Sequence, residues 1–149
     1  MKRFYLTALF VSVFIGKKAA AQDLNYNEVP SVIINSFNKT FPKAFDAEWE
    51  LDGGYYKAEF EIGVFGTDHD IWYDKKGRLI KHTEEISKNE LPKNILKMIN
   101  SGFIGFRIDD VKRITEYGKT TYTMELKSFT EEWKAAFDHN GNLLSKVAD

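Results

Sequence analysis

The stretch Tyr55-Tyr56-Lys57-Ala58-Glu59-Phe60-Glu61-Ile62 decides the fold class. Tyr56, Ala58, Phe60 and Ile62 alternate with Tyr55, Lys57, Glu59 and Glu61. That is the period of a strand with one face on a core and the other in water. Just upstream, Ala47, Trp49 and Leu51 alternate with Glu48 and Glu50, and Asp52-Gly53-Gly54 supplies the turn between the two runs. Downstream, Asp70-Ile71-Trp72-Tyr73 predicts a third strand. Asp74-Lys75-Lys76-Gly77 places Asp and Gly where a type I turn wants them and leads into a fourth strand at Arg78–Glu84. Ahead of the strands, Val29, Ile33, Phe37 and Phe41 recur every four residues with Ile34 beside them. This predicts an amphipathic helix with Pro30 at its first position and Pro42 at its end.

The same order of features returns further along. Val29-Pro30 is matched by Leu91-Pro92 at a separation of 62, and Asp74–Gly77 by Asp138-His139-Asn140-Gly141 at 64. Tyr56–Phe60 is matched by Tyr122-Thr123-Met124-Glu125-Leu126 at 66. Leu91, Ile95, Ile99 and Phe103, with Met98 alongside, predict a second helix that ends near Gly102 and Gly105. Strands are predicted near Ile108–Thr115, Thr121–Ser128, Glu132–Asp138 and Asn142–Val147. The expected fold class is therefore α+β: a tandem duplication of a helix plus a four-stranded antiparallel meander, with helices on one face of the sheet. The expected boundaries are 29–88 for the first repeat and 89–149 for the second, after a tail at 22–28.

These residues resemble the PepSY-like family of exported bacterial proteins with a β-lactamase-inhibitor-like fold, long described as a domain of unknown function. The likeness is carried by Val29-Pro30 with Phe37 and Phe41-Pro42, by Ala47-Glu48-Trp49, by Tyr56–Phe60 and by Asp74–Gly77. A weaker copy runs from Leu91-Pro92 to Asp138–Gly141, with Ile104 in place of the proline and Val111 in place of Trp49. The resemblance implies a continuous antiparallel sheet, helices behind it and a curved open face in front. In the related inhibitors that aromatic-rich face grips an enzyme. Extending the activity to this chain is analogy of fold alone.

The N-terminus reads as a targeting segment. Met1-Lys2-Arg3 precedes an uncharged run from Phe4 to Gly16, and Ala19-Ala20-Ala21 is the small-x-small pattern of a cleavage site. The run is shorter than the roughly 20 apolar residues a membrane span requires. The expectation is a signal peptide over 1–21 and a periplasmic or secreted chain with no membrane anchor, starting near Gln22. Removing 1–21 leaves 17 basic and 22 acidic residues, a net charge of −5. With no basic run, a nucleic-acid partner is not expected. The absence of cysteine from the 149-residue chain excludes disulfides, thiol catalysis and a lipidated N-terminal cysteine.

No nucleophile elbow, zincin motif, phosphate loop or dinucleotide fingerprint is present, so neither an enzyme nor a cofactor is expected. Asp68-His69-Asp70 has metal-ligand chemistry, but a strand sends His69 to the face opposite both aspartates. A partly buried histidine is the expectation there, with His82 and His139 at the surface and no metal site. Glu50, Glu59 and Glu61 share a face with Lys57 and read as a solvated charge pattern.

A binding face is the sharper reading. Ile71 and Tyr73 match Ala135 and Phe137 on the core side, so Trp72 faces away with Asp70 and Asp74, and Tyr55 falls on the same side. Trp and Tyr amid charged residues have the composition of an interface hot spot. The competing reading is that they cover a small second core, or that the register is off by one. Phe65 and Phe129 occupy matching hairpin tips, and their repetition predicts that they fold back over the sheet edge rather than reach a ligand. The candidate partner-binding residues are thus Trp72, Tyr55, Lys57, Glu59, Phe65 and Phe129. The expected function is a non-catalytic, exported binding or inhibitory module that contacts an unidentified envelope or extracellular protein. The alternative is a periplasmic small-ligand or carbohydrate-binding protein that uses the same aromatics as stacking platforms.

Overall fold

The computed structural model describes residues 21–149, so the targeting segment lies, except for Ala21, outside the described residues. Nine antiparallel strands pair in chain order to make one sheet. They are β1 (Gln22–Leu24), β2 (Ala44–Asp52), β3 (Tyr55–Ile62), β4 (Thr67–Tyr73), β5 (Leu79–Glu85), β6 (Arg107–Glu116), β7 (Lys119–Lys127), β8 (Glu132–Asp138) and β9 (Leu143–Ala148). Two ten-residue helices, α1 (Ser31–Thr40) and α2 (Lys93–Gly102), precede β2 and β6.

This corrects the expected fold class. Over the described residues the protein is mostly a nine-stranded antiparallel sheet with two short helices, not a duplicated helix-plus-four-strand meander. The ladder between β5 and β6, which runs from Lys81–Glu116 to Glu85–Lys112, makes the sheet continuous, as the resemblance implies, and the sheet rather than the helices dominates the fold. Two separate meanders would each leave a row of unpaired backbone groups at this seam, and pairing the strands satisfies them. A further strand, β1, adds to the other side of β2, with Leu24 opposite Trp49.

Each helix forms for the reason its apolar spacing gives. Ile33, Ile34 and Phe37 of α1 are buried over Trp49, Ala58, Phe60, Ile71 and Tyr73. Ile95 and Ile99 of α2 are buried over Val111, Met124, Leu126, Ala135 and Phe137. Pro30 and Pro92 sit one residue before the first helical turn rather than within it, where their lack of an N–H still costs nothing. Phe37 makes edge contacts with Trp49 and Phe60, at ring-centroid distances of 5.3 and 5.0 Å.

The two Asp-x-x-Gly turns dock the helices. Asp74 Oδ1 accepts from the backbone N–H groups of Lys76 and Arg78 at 2.9 and 3.0 Å, and Asp138 Oδ1 accepts from those of Asn140 and Asn142 at 2.9 Å each. Gly77 has φ +77°, and a Cβ there would lie 3.0 Å from the Val32 carbonyl oxygen of α1. Gly141 has φ +89° and approaches Asn94 of α2 in the same way, at 3.1 Å. Glycine is needed at both for its backbone and for its missing side chain.

Candidate functional site: the helix-free sheet face

Register assigns the open face residue by residue. Asp52 pairs with Tyr55, Glu50 with Lys57 and Glu48 with Glu59. Lys57 pairs with Trp72 and Glu59 with Asp70, and across the next ladder Trp72 pairs with Lys81. Ala58, Phe60, Ile71 and Tyr73, which alternate with these, are buried beneath α1. Trp72, Tyr55, Lys57 and Glu59 therefore come together on the side the helices leave open.

Trp72 is half-buried there rather than freely exposed. Its indole N–H donates to Asp52 Oδ2 at 2.8 Å, and the ammonium groups of Lys81 and Lys57 lie 4.5 and 5.3 Å from the ring centroid. These contacts fix the ring and leave it framed by charge. Tyr55 is exposed, and its hydroxyl meets that of Tyr117, in the turn between β6 and β7, at 3.5 Å.

Lys57 is the hub of an ion network. Its Nζ contacts Glu50 at 3.1 Å and Asp70 at 3.5 Å, and it also bonds Glu59. Burial alone would lower its pKa, but the carboxylates of Glu59, Asp70 and Glu50 overturn that and hold the ammonium above its usual range. Burial raises the Asp70 carboxyl, with Lys57 pulling the other way and Glu59 adding to the rise. Beside this network the sheet holds an open concavity of about 540 Å³. Seven of its lining residues are acidic, Glu48, Glu59, Asp68 and Asp70 among them, against the two lysines Lys57 and Lys112. Its net field is negative, and Trp72 lies next to it as the cross-strand partner of the lining residue Lys57.

Phe65 and Phe129 are not part of this face. Both are fully exposed, at 100% and 108% of their reference areas, at the β3–β4 and β7–β8 turns. The expected folding back over the sheet edge does not occur. The turns hold the rings clear of the sheet: Gly63 and Gly66, on either side of Val64-Phe65, have φ +89° and +58°. Val64 and Ile104 are also exposed, so one end of the sheet carries an apolar rim.

The helix side holds polar residues that sequence reasoning misplaced. His82 is half-buried and not an isolated surface residue. Its Nε2 lies 2.9 Å from Nδ1 of the buried His69, and Glu84 stands beside both. Burial lowers the pKa of each imidazole. Arg113 Nε donates to Glu84 Oε1 at 2.7 Å. The signal was present in the sequence, since a hairpin about Asp74–Gly77 sets His82 against Ile71 and so next to His69 on the same face. Asp52, Lys81 and Tyr117 were missed because they reach Trp72 and Tyr55 from other strands or from a turn.

The chain matches the family described as "Putative beta-lactamase-inhibitor-like, PepSY-like" over residues 16–81 and 54–145. No curated protein matches it. Among solved structures it is similar to a BLIP-like protein from Bacteroides fragilis, at TM-score 0.65 and 22% identity over 80% of this chain and 85% of that one. It is also similar to one of the "putative periplasmic proteins" of Bacteroides eggerthii, at TM-score 0.69 and 17% identity, covering 80% and 88%. A DUF2874 family protein from Bacteroides uniformis gives TM-score 0.67 and 18% identity, covering 80% and 88%. At these identities the likeness is one of fold.

Proposed function

We propose, from the premise that the chain belongs to the PepSY-like, beta-lactamase-inhibitor-like family, that it is a non-catalytic, exported module that binds a basic segment of a protein partner on its helix-free sheet face. The observation that carries this is the juxtaposition of Trp72, paired with Lys57, and the acidic concavity of β2 to β6. A fixed aromatic provides contact area at low entropic cost, and the surrounding carboxylates select charge and speed encounter. The BLIP-like name of one fold neighbour supports a binding role, and the periplasmic description of another supports export. Among the described residues no helix is long and apolar enough to cross a membrane. The concavity is lined from five neighbouring strands, β2 to β6, which favours a polypeptide laid across them over a small enclosed ligand.

The test is affinity capture from the native envelope fraction with three baits: the unaltered protein, the double variant Trp72→Ala with Tyr55→Ala, and the charge-reversed Glu59→Lys with Asp70→Lys. A protein held by the first bait, released by added salt and lost from both variants supports the reading. A partner retained by both variants places the contact elsewhere, with the Phe65 and Phe129 tips next in line. Binding of a sugar or lipid that changes Trp fluorescence, with no protein captured, supports the carrier reading instead.

A further inference from the structure

We propose that His69, His82 and Glu84 form a binding site for a single divalent transition-metal ion of the zinc class, on the helix side of β4 and β5. Their ligand atoms all lie within 4.8 Å of one another. Two nitrogens bound to one ion at about 2.0–2.1 Å are separated by about 2.9 Å at a right angle and about 3.3 Å at the tetrahedral angle. His69 Nδ1 and His82 Nε2 are 2.9 Å apart, so the two imidazoles already have the spacing of a shared ion, which would replace the hydrogen bond between them, with Glu84 closing on it from within 4.8 Å.

The rings are held in place before any ion arrives. Phe60 stacks on His69 at a centroid distance of 5.2 Å and an interplanar angle of 10°, and Phe41 meets His82 edge-on at 5.4 Å. Arg113 holds Glu84 Oε1, and Oε2 accepts no hydrogen bond among the described residues. A carboxylate oriented by one oxygen and ligating through the other is the usual outer-sphere arrangement. Two imidazoles and one carboxylate, with further positions for water, suit zinc, nickel or copper(II) better than calcium or magnesium, which take oxygen sets. The location fits a strut: the site lies on β4 and β5, while the two buried cores sit under α1 on one side and α2 on the other. The other candidate cluster among the described residues, Glu125, Glu132 and Asp149, has no imidazole, and Lys127 already pairs with two of its members.

The test is equilibrium dialysis of the protein, prepared without a polyhistidine tag, against Zn²⁺, with Co²⁺ absorption and histidine ring NMR as independent readouts. One ion per chain is expected, with affinity at least tenfold weaker in His82→Gln and Glu84→Gln and unchanged in His139→Gln. The histidine resonances that shift on titration should be those of His69 and His82. His82 and Glu84 are partly exposed, so their variants are expected to fold, and the unaltered protein carries the NMR test regardless. Absence of saturable uptake, uptake unchanged in both variants, or shifts confined to His139 would each overturn the proposal.

Discussion

The indole of Trp72 on β4 is hydrogen-bonded to the carboxylate of Asp52 on β2, reaching across β3 at 2.8 Å. One side chain thus ties three strands together on the face the helices leave uncovered, and it does so next to Lys57, the hub of the ion network. Trp72 is therefore a fixed feature of the surface.

That contact has a measurable energy. Trp72→Phe and Asp52→Ala, singly and together, form a cycle whose coupling is expected at about 0.5–1.5 kcal/mol in urea unfolding, the size of a partly exposed hydrogen bond to a charged group. Additive effects would mean that the bond contributes nothing in solution.

Trp49 is core, at 4% exposure under α1. Trp49→Ala is expected to lower stability by about 3–5 kcal/mol. The indole N–H of Trp49 has no partner among the described residues. Trp49→Phe, which removes that buried donor as well as some volume, should therefore cost clearly less. Denaturant midpoints of the two variants check both statements, and a single transition in each shows that the sheet unfolds as one unit.

The docking turns predict an intolerance to the smallest side chain. Gly77→Ala and Gly141→Ala each force a left-handed backbone on alanine and push a methyl group toward helix backbone at about 3 Å. Each is expected to cost about 1–3 kcal/mol. Gly53→Ala serves as the comparison: its φ is +58° but nothing lies within 4 Å, so only the backbone cost applies.

Acid sensitivity follows from the same turns. The backbone N–H of Arg78 lowers the Asp74 pKa, and the side chain of Asn142 lowers that of Asp138. A carboxyl depressed on folding stabilises the protein fully above its unfolded value, near 3.9. That stabilisation disappears as the pH falls through the folded value. Urea midpoints at pH 7 and pH 3 should therefore differ less in Asp74→Asn with Asp138→Asn than in the unaltered protein. An equal acid loss in both would mean that the turns are not the source.

Much of the sheet was legible because alternation is a local signal. Ala58, Phe60 and Ile71 declare a buried face within their own strands, and Pro42 and Gly102 mark helix ends without reference to the rest of the chain. What was not legible arises between elements. β1 has three residues and one apolar side chain, and it exists because Leu24 can pair opposite Trp49. The β5–β6 ladder, which makes one sheet of the whole, follows from the family resemblance and from no local pattern, because α2 separates its two strands. The parity that puts Trp72 on the open face could be read from Ile71 and Tyr73. Its cover could not, since Asp52 and Lys81 come from neighbouring strands. Asp46 and Asp110, with φ +51° and +45°, bulge β2 and β6 at positions where composition gives no warning.

The most direct test of binding through the helix-free face is site-specific photocrosslinking in the native envelope. A benzoylphenylalanine replaces Glu59 or Thr83 on that face in two variants, and Lys97 on α2 in a third. Binding through the open face predicts the same crosslinked protein from Glu59 and Thr83 and none from Lys97. A crosslinked partner from Lys97 alone, with both sheet positions silent, would contradict it.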